Sequence, residues 1–116
     1  QMRRVAHISR ILNDQGIIVI CSFIASEEHL RQQLKEIIGN ERFHLIFMDA
    51  DLDYCRANKP ELYEKAEQGL LQYLPGVDEV YEKPENAQLC FKPMAMTENI
   101  ALTMNYLQQH KIFPLD

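Results

Sequence analysis

The chain has 116 residues, 47% of them hydrophobic and 25% charged, and carries a net charge of -5. This is length for one small domain with a core of its own, residues 1–116, and not for two. The acidic balance argues against a nucleic-acid surface, and no apolar run approaches the ~20 residues that span a bilayer. Neither nucleic acid nor membrane is therefore expected as a partner. No charged-apolar-small leader pattern opens the chain. Cys21, Cys55 and Cys90 lack Cys-x-x-Cys spacing, which points to reduced thiols in a cytoplasmic protein rather than a disulfide framework or zinc site. Gln1 is not an initiator Met, and a helical pattern is already running by Arg3, so the chain reads as starting partway through something.

Val5, Ile8, Ile11 and Leu12 fall at helical spacing and predict an amphipathic helix over residues 2–14, ended by Gly16. Ile17 to Cys21 is then apolar without a break and mostly β-branched. It predicts a strand over 17–23 buried on both faces, as in a parallel sheet covered by helices. Ligands of open α/β sheets sit at the carboxyl ends of strands, so Phe23 to Ser26 is the first place to look for function. His29 to Ile38 is helical again, with Leu30, Leu34, Ile37 and Ile38 on one face and Gly39 as the stop. Phe43 to Met48 reads as a second buried strand, parallel to the first through a right-handed crossover.

Asp51 to Ala57 predicts a short helix. Pro60 suits the first turn of another, Glu61 to Gln68, which Gly69 ends. Pro75, Gly76 and Pro84 interrupt residues 70–86, where a functional lid or a mobile loop is expected. Gln88 to Phe91 is a short strand, and Thr97 an N-cap for a last helix to about His110 carrying Ile100, Met104 and Leu107. The class is α/β in three layers, a parallel sheet with helices on both faces.

Asp49, Asp51 and Asp53 follow the second strand at alternate positions. They suit a hard cation, as in the Asp-x-Asp motif of nucleotide-sugar glycosyltransferases, or else a strand end followed by an N-cap. An EF-hand is excluded, because Tyr54 stands where its Gly belongs and Pro60 where its last acid belongs. His7, His29, His44 and His110 show no ligand spacing and read as surface or satisfied side chains. Arg3 and Arg4 suit phosphate or sulfate, although exposed helical arginines are commoner. Met94, Met96 and Met104 read as core filler. No catalytic residue or metal ligand is assigned from these patterns.

The order of these pieces resembles the adenylyl-sulfate kinases, P-loop enzymes that phosphorylate the 3′-hydroxyl of adenylyl sulfate with ATP and magnesium. The family's Asn-Ile-Arg-Arg helix start is similar to Gln1-Met2-Arg3-Arg4. Its Ser-Phe-Ile-Ser-Pro strand end is similar to Ser22-Phe23-Ile24-Ala25-Ser26, and its Val-Asp-Ala-Pro-Leu turn to Met48-Asp49-Ala50-Asp51-Leu52. The lid motif Lys-Gly-Leu-Tyr-Lys-Lys-Ala resembles Pro60-Glu61-Leu62-Tyr63-Glu64-Lys65-Ala66. Gly-Phe-Thr-Gly-Ile-Asp and Tyr-Glu-x-Pro-Glu-Asn resemble Tyr73 to Asp78 and Tyr81 to Asn86, the second being the most specific. The likeness covers nearly the whole chain, as the C-terminal two-thirds of such a kinase with its N-terminal strands missing.

The resemblance implies a P-loop kinase-like sheet, a lid over about 58–86, and magnesium and ATP for a full-length member. It implies adenylyl sulfate or a related adenine nucleotide as ligand. Arg3, Phe23 and Ile24 at the strand end, with Lys59, Tyr73 and Leu74 from the lid, are the expected contacts. The departures are as specific. No Gly-x-x-x-x-Gly-Lys-Ser/Thr occurs in the sequence, Ala25 stands for the family's Ser and Gln1 for its Asn. Gln72-Tyr73-Leu74 stands for Lys-Gly-Phe, Glu67 for the lid helix Arg, and Lys92-Pro93 for Lys-Thr. Two readings follow. One is part of a kinase domain, inactive as this chain alone, whose P-loop lies upstream. The other is a degenerate, non-catalytic domain fused to or partnering a sulfate adenylyltransferase. A glycosyltransferase fragment stands third. The expected partners are an upstream segment, a sulfate adenylyltransferase domain or a second copy.

Overall fold

Helical and extended patterns alternate along the chain, and the computed structural model, which describes residues 1–93 and 95–112, follows most of them. The order is α1 (Met2–Asp14), α2 (Glu28–Ile38), β1 (Ile46–Met48), α3 (Leu52–Asn58), α4 (Pro60–Glu67), β2 (Leu89–Phe91) and α5 (Met96–Gln109). The expectation for Met94 lies outside the described residues. No helix among them is long and apolar enough to cross a membrane.

α1 and α2 pack on each other. Ala6 and Ser9 are buried on α1, and Arg31 and Leu34 on α2. Small side chains one turn apart on α1 allow a close approach of the two axes. Arg10 Nη1 donates to the Ile37 carbonyl at 3.0 Å, and Arg42 pairs with Asp14. Gly39 ends α2 at φ 108, a backbone that costs any other residue strain.

β1 and β2 are parallel, with Ile46 opposite Leu89, Phe47 opposite Cys90 and Met48 opposite Phe91. The second predicted strand is thus present but shorter than 43–48. Gln88 takes both backbone groups of Leu45, its side chain at 2.6 Å and its N–H at 2.9 Å, and this precedes the ladder. Its burial on both faces is not found, since Ile46 and Met48 are exposed.

Residues 17–23 form no strand and are not buried, with Ile20 91% exposed. β-branched side chains favour extended backbone, but a strand exists only where a neighbour supplies the ladder. Here the backbone of 17–23 pairs with no strand among the described residues. Exposure leaves its polar groups to water, which avoids the roughly 1–3 kcal/mol for each group buried unsatisfied. The segment is tied to α1, through Asn13 Nδ2 to the Ile17 carbonyl at 3.2 Å and Ser9 Oγ to Cys21 Sγ at 3.5 Å.

Asp51 caps α3, accepting the Tyr54 N–H at 2.8 Å, and Pro60 begins α4. Thr97 is not the cap of α5. That helix begins at Met96 after Ala95, without a side-chain cap bond. Nor do its methionines fill a core, for Met96 is 70% exposed. An apolar cleft of about 310 Å³, lined by Ile46, Met48, Phe91, Met96, Ile100 and Met104 among others, lies between the sheet face and α5. The helix is tied at its far end, where Tyr106 OH lies 2.6 Å from His44 Nδ1 and the Tyr106 ring stacks on His110 at 4.0 Å. The radius of gyration, 16.2 Å, exceeds the roughly 13 Å of a compact domain this long, in keeping with so small a core.

Candidate functional site

The chain leaving the 17–23 segment turns sharply before α2. Ala25 has φ 42, a left-handed backbone uncommon for a residue with a Cβ. The turn opens a cleft of about 510 Å³ between the start of α1 and this loop, lined by Arg3, Ser22, Phe23, Ile24, Ala25 and Leu30 among others. Its walls are apolar at Phe23, Ile24 and Leu30 and cationic at Arg3. The first turn of α1 holds no acidic residue, so its free N–H groups and Arg3 favour an anion there. An aromatic wall beside a cationic rim suits a planar base carrying an anionic group.

The structure therefore brings Arg3, Phe23 and Ile24 together. Lys59, Tyr73 and Leu74 do not line this cleft. Lys59 lies exposed at the junction of α3 and α4. Tyr73 is 73% exposed in a left-handed backbone, φ 63, because the Asp78 carboxylate accepts the N–H groups of both Tyr73 and Leu74, at 2.7 and 2.6 Å.

A second polar group sits at the carboxyl end of β1. Lys92 Nζ lies 3.0 Å from Asp49 Oδ2 and Lys83 Nζ 3.2 Å from Asp49 Oδ1. The hydrogen bonds from Lys92 and Lys83 hold the Asp49 carboxyl below its ordinary range, and Asp49 raises Lys92 in turn. With Asp49 paired twice and Asp51 capping α3, two of the three alternating acids are engaged within the fold. Magnesium and ATP need free carboxylate or hydroxyl oxygens and a nest of backbone N–H groups. The residues at this strand end do not by themselves fit them.

Three groups escaped the sequence reading. Arg31 is 3% exposed, although α2 looked like an ordinary amphipathic helix. Its signal is its place three residues before Leu34 and seven before Ile38, inside the apolar stripe. Tyr81 and Glu82 were noticed as part of a motif, but not as the residues that meet Arg31. His44, Tyr106 and His110 are distant in sequence, and no spacing announces their contact.

The family model for adenylylsulphate kinase matches residues 1–92. The chain belongs to the adenylyl-sulfate kinase family. An adenylyl-sulfate kinase of Escherichia coli is 34% identical over 113 residues, 96% of this chain and 56% of that protein. The bifunctional enzyme NodQ of Rhizobium tropici is 42% identical over 94 residues, 80% of this chain and 15% of that protein. The crystal structure of APE1195 matches with a TM-score of 0.82 at 31% identity, covering 96% of this chain and 64% of that one. The chain thus spans about half the length of the curated adenylyl-sulfate kinases it matches. Family membership and this fold likeness bear out the α/β, P-loop kinase-like class.

Proposed function

We propose that the chain is the part of an adenylyl-sulfate kinase domain that receives adenylyl sulfate, and that alone it does not transfer the phosphoryl group. The cleft beside Arg3 carries the reading. Phe23 and Ile24 offer the adenine an apolar wall, to which Leu30 adds, and Arg3 attracts the anionic phosphosulfate. In the parent reaction, magnesium and ATP supply the phosphoryl group to the 3′-hydroxyl, a transfer that rests on electrostatic stabilisation. The sequence holds no phosphate-cradling Gly-rich motif, and Asp49 is paired with two lysines. Both observations support inactivity of this chain by itself.

The test is a titration of the isotopically labelled chain with adenylyl sulfate, followed by backbone amide shifts. Perturbations gathered at Arg3, Phe23, Ile24 and Ala25 are expected. No perturbation at millimolar ligand, or perturbations centred elsewhere, overturns the binding site. Turnover above background by the purified chain with magnesium and ATP overturns the inactivity.

A second reading is a non-catalytic domain fused to or partnering a sulfate adenylyltransferase. A match to a protein described as a bifunctional enzyme favours it, since it shows a similar stretch inside a much longer polypeptide. On either reading, the 17–23 segment, which pairs with no strand among the described residues, and the outer edge of β1 support a further parallel strand between them. That strand comes from another part of the polypeptide or from a partner chain.

A further inference from the structure

Apart from the turn at 39–44, the hydrogen bonds that join the α1–α2 half to the rest of the described chain meet at one residue. Glu82 donates its N–H to the Ser26 carbonyl at 2.9 Å. Its side chain accepts the Glu28 N–H at 2.8 Å, and its carbonyl accepts Arg31 Nη2 at 2.5 Å. The same guanidinium reaches the other way. Arg31 Nη1 donates to the Ala25 carbonyl at 2.6 Å, and Nη2 also meets Glu28 Oε2 at 2.5 Å. Arg31 lies over the Tyr81 ring, 5.9 Å from its centroid, and Tyr81 stacks on Phe47 of β1 at 5.8 Å and 18°.

The burial of this guanidinium is costly. Its Nε is buried with no partner among the described residues, and an arginine this deeply buried is rare unless paired. Its acceptors explain why it is there. One of them is the carbonyl of Ala25, the wall residue whose left-handed backbone shapes the cleft, and another belongs to Glu82, in the later part of the irregular 70–86 segment. A planar fork reaches two divergent carbonyls and a carboxylate from two separate nitrogens, whereas an ammonium offers all its donors from one.

We propose that Arg31 is a positioning residue that couples the two, so that Ala25 keeps the shape of the cleft only while residues 81–82 are docked. The inference rests on the cleft's being the adenylyl sulfate site, but its first readout does not. Residues 81–82 belong to the same segment as Tyr73 and Leu74, so ligand in the cleft and the placement of that segment depend on each other.

The experiment compares the wild-type chain with Arg31→Lys and Glu82→Ala by amide hydrogen exchange, with and without adenylyl sulfate. In both variants the Glu28 N–H, and in Arg31→Lys the Glu82 N–H, are expected to exchange about tenfold faster or more, the scale of one charge-assisted hydrogen bond, while α1 amides keep their rates. Adenylyl sulfate should bind about fivefold or more weakly to each variant, and the double variant should lose little beyond the worse single one. In the wild type, the ligand should slow exchange at Glu82, which it does not touch. A lysine that preserves these protections overturns the clamp, as does a double variant whose losses add. Should Arg31→Lys fail to fold, Glu82→Ala, altered on the surface, decides alone through the Glu28 amide. If adenylyl sulfate does not bind the wild type, the substrate assignment fails, and the exchange pattern still rules on the clamp.

Discussion

Lys92, just past β2, reaches Asp49, just past β1, with Nζ 3.0 Å from Oδ2, so the two parallel strands end in an ion pair that Lys83 joins from the other side. The pair sits where ligands of parallel sheets gather. It keeps the Asp49 carboxyl ionised to lower pH than usual.

That depression gives a signed expectation. A carboxyl lowered by folding adds stability that is present above its unfolded value and lost as pH falls through the folded one. In a carbon-detected titration, Asp49 should change charge below the ordinary aspartate range, and Asp49→Asn should lower the Lys92 ammonium toward an ordinary lysine. Both ammonium groups are exposed, so Asp49→Asn should shift the urea midpoint little at neutral pH. A large loss of stability, or an Asp49 that titrates normally, counts against the pair.

Burial separates two apolar residues that look alike in the sequence. Phe91 is nearly inaccessible, whereas Ile20 stands in water. Phe91→Ala should cost about 3–5 kcal/mol, enough to unfold a marginal chain. Ile20→Thr should stay within about 0.5 kcal/mol of wild type in the same urea titration. Equal losses at the two positions would mean that residue 20 is buried in solution.

Much of the fold was legible because it is local. The periods of α1 and α2, the Asp51 cap, Pro60 at a helix start and the stop at Gly39 are set by neighbours a turn away. What failed depends on partners distant in the chain. The 17–23 run has the composition of a central strand, yet composition supplies no ladder, so it stays exposed beside α1. Thr97 looked like a cap, but backbone geometry started α5 two residues earlier, with Ala95 in the cap position. In the cleft, Phe23 and Ile24 were found from their place after the apolar run, and Arg3 from its charge. Arg31 was missed because no feature of α2 discloses which carbonyls lie opposite.

The three-ring contact at the end of α5 predicts a pH effect. Burial lowers His44, the nearby His110 lowers it further, and a hydrogen bond with the Glu41 main chain opposes them. His44 faces the Tyr106 hydroxyl and, across 6.3 Å, the His110 ring. A histidine lowered by folding favours the native state while neutral. Its contribution is full above its unfolded value of about 6.5 and fades as pH falls through that value. The urea midpoint should drop between about pH 7.5 and 5.5, and His44→Gln should remove much of the drop. A pH response unchanged by His44→Gln would assign it to other groups.

The open sheet leads to the last expectation. β1 pairs only with β2 among the described residues, and its other edge offers unpaired N–H and C=O groups. The 17–23 run offers another row, with Ile17, Ile18 and Ile20 exposed. Unpaired backbone beside a flat β-branched surface invites a strand, and Lys at such an edge is how natural sheets discourage one. The purified chain should therefore sediment as more than a monomer, in a concentration-dependent way. Ile18→Lys with Ile20→Lys should shift it toward monomer without loss of helix signal, since neither isoleucine is buried in the single chain. A peptide offering an apolar parallel strand should compete with self-association and protect the amides of 17–23 and of 46–48 together. A monodisperse wild-type monomer that melts cooperatively, with 17–23 hydrogen-bonded directly to 43–48, would show that the two rows close on each other and leave no seat between them.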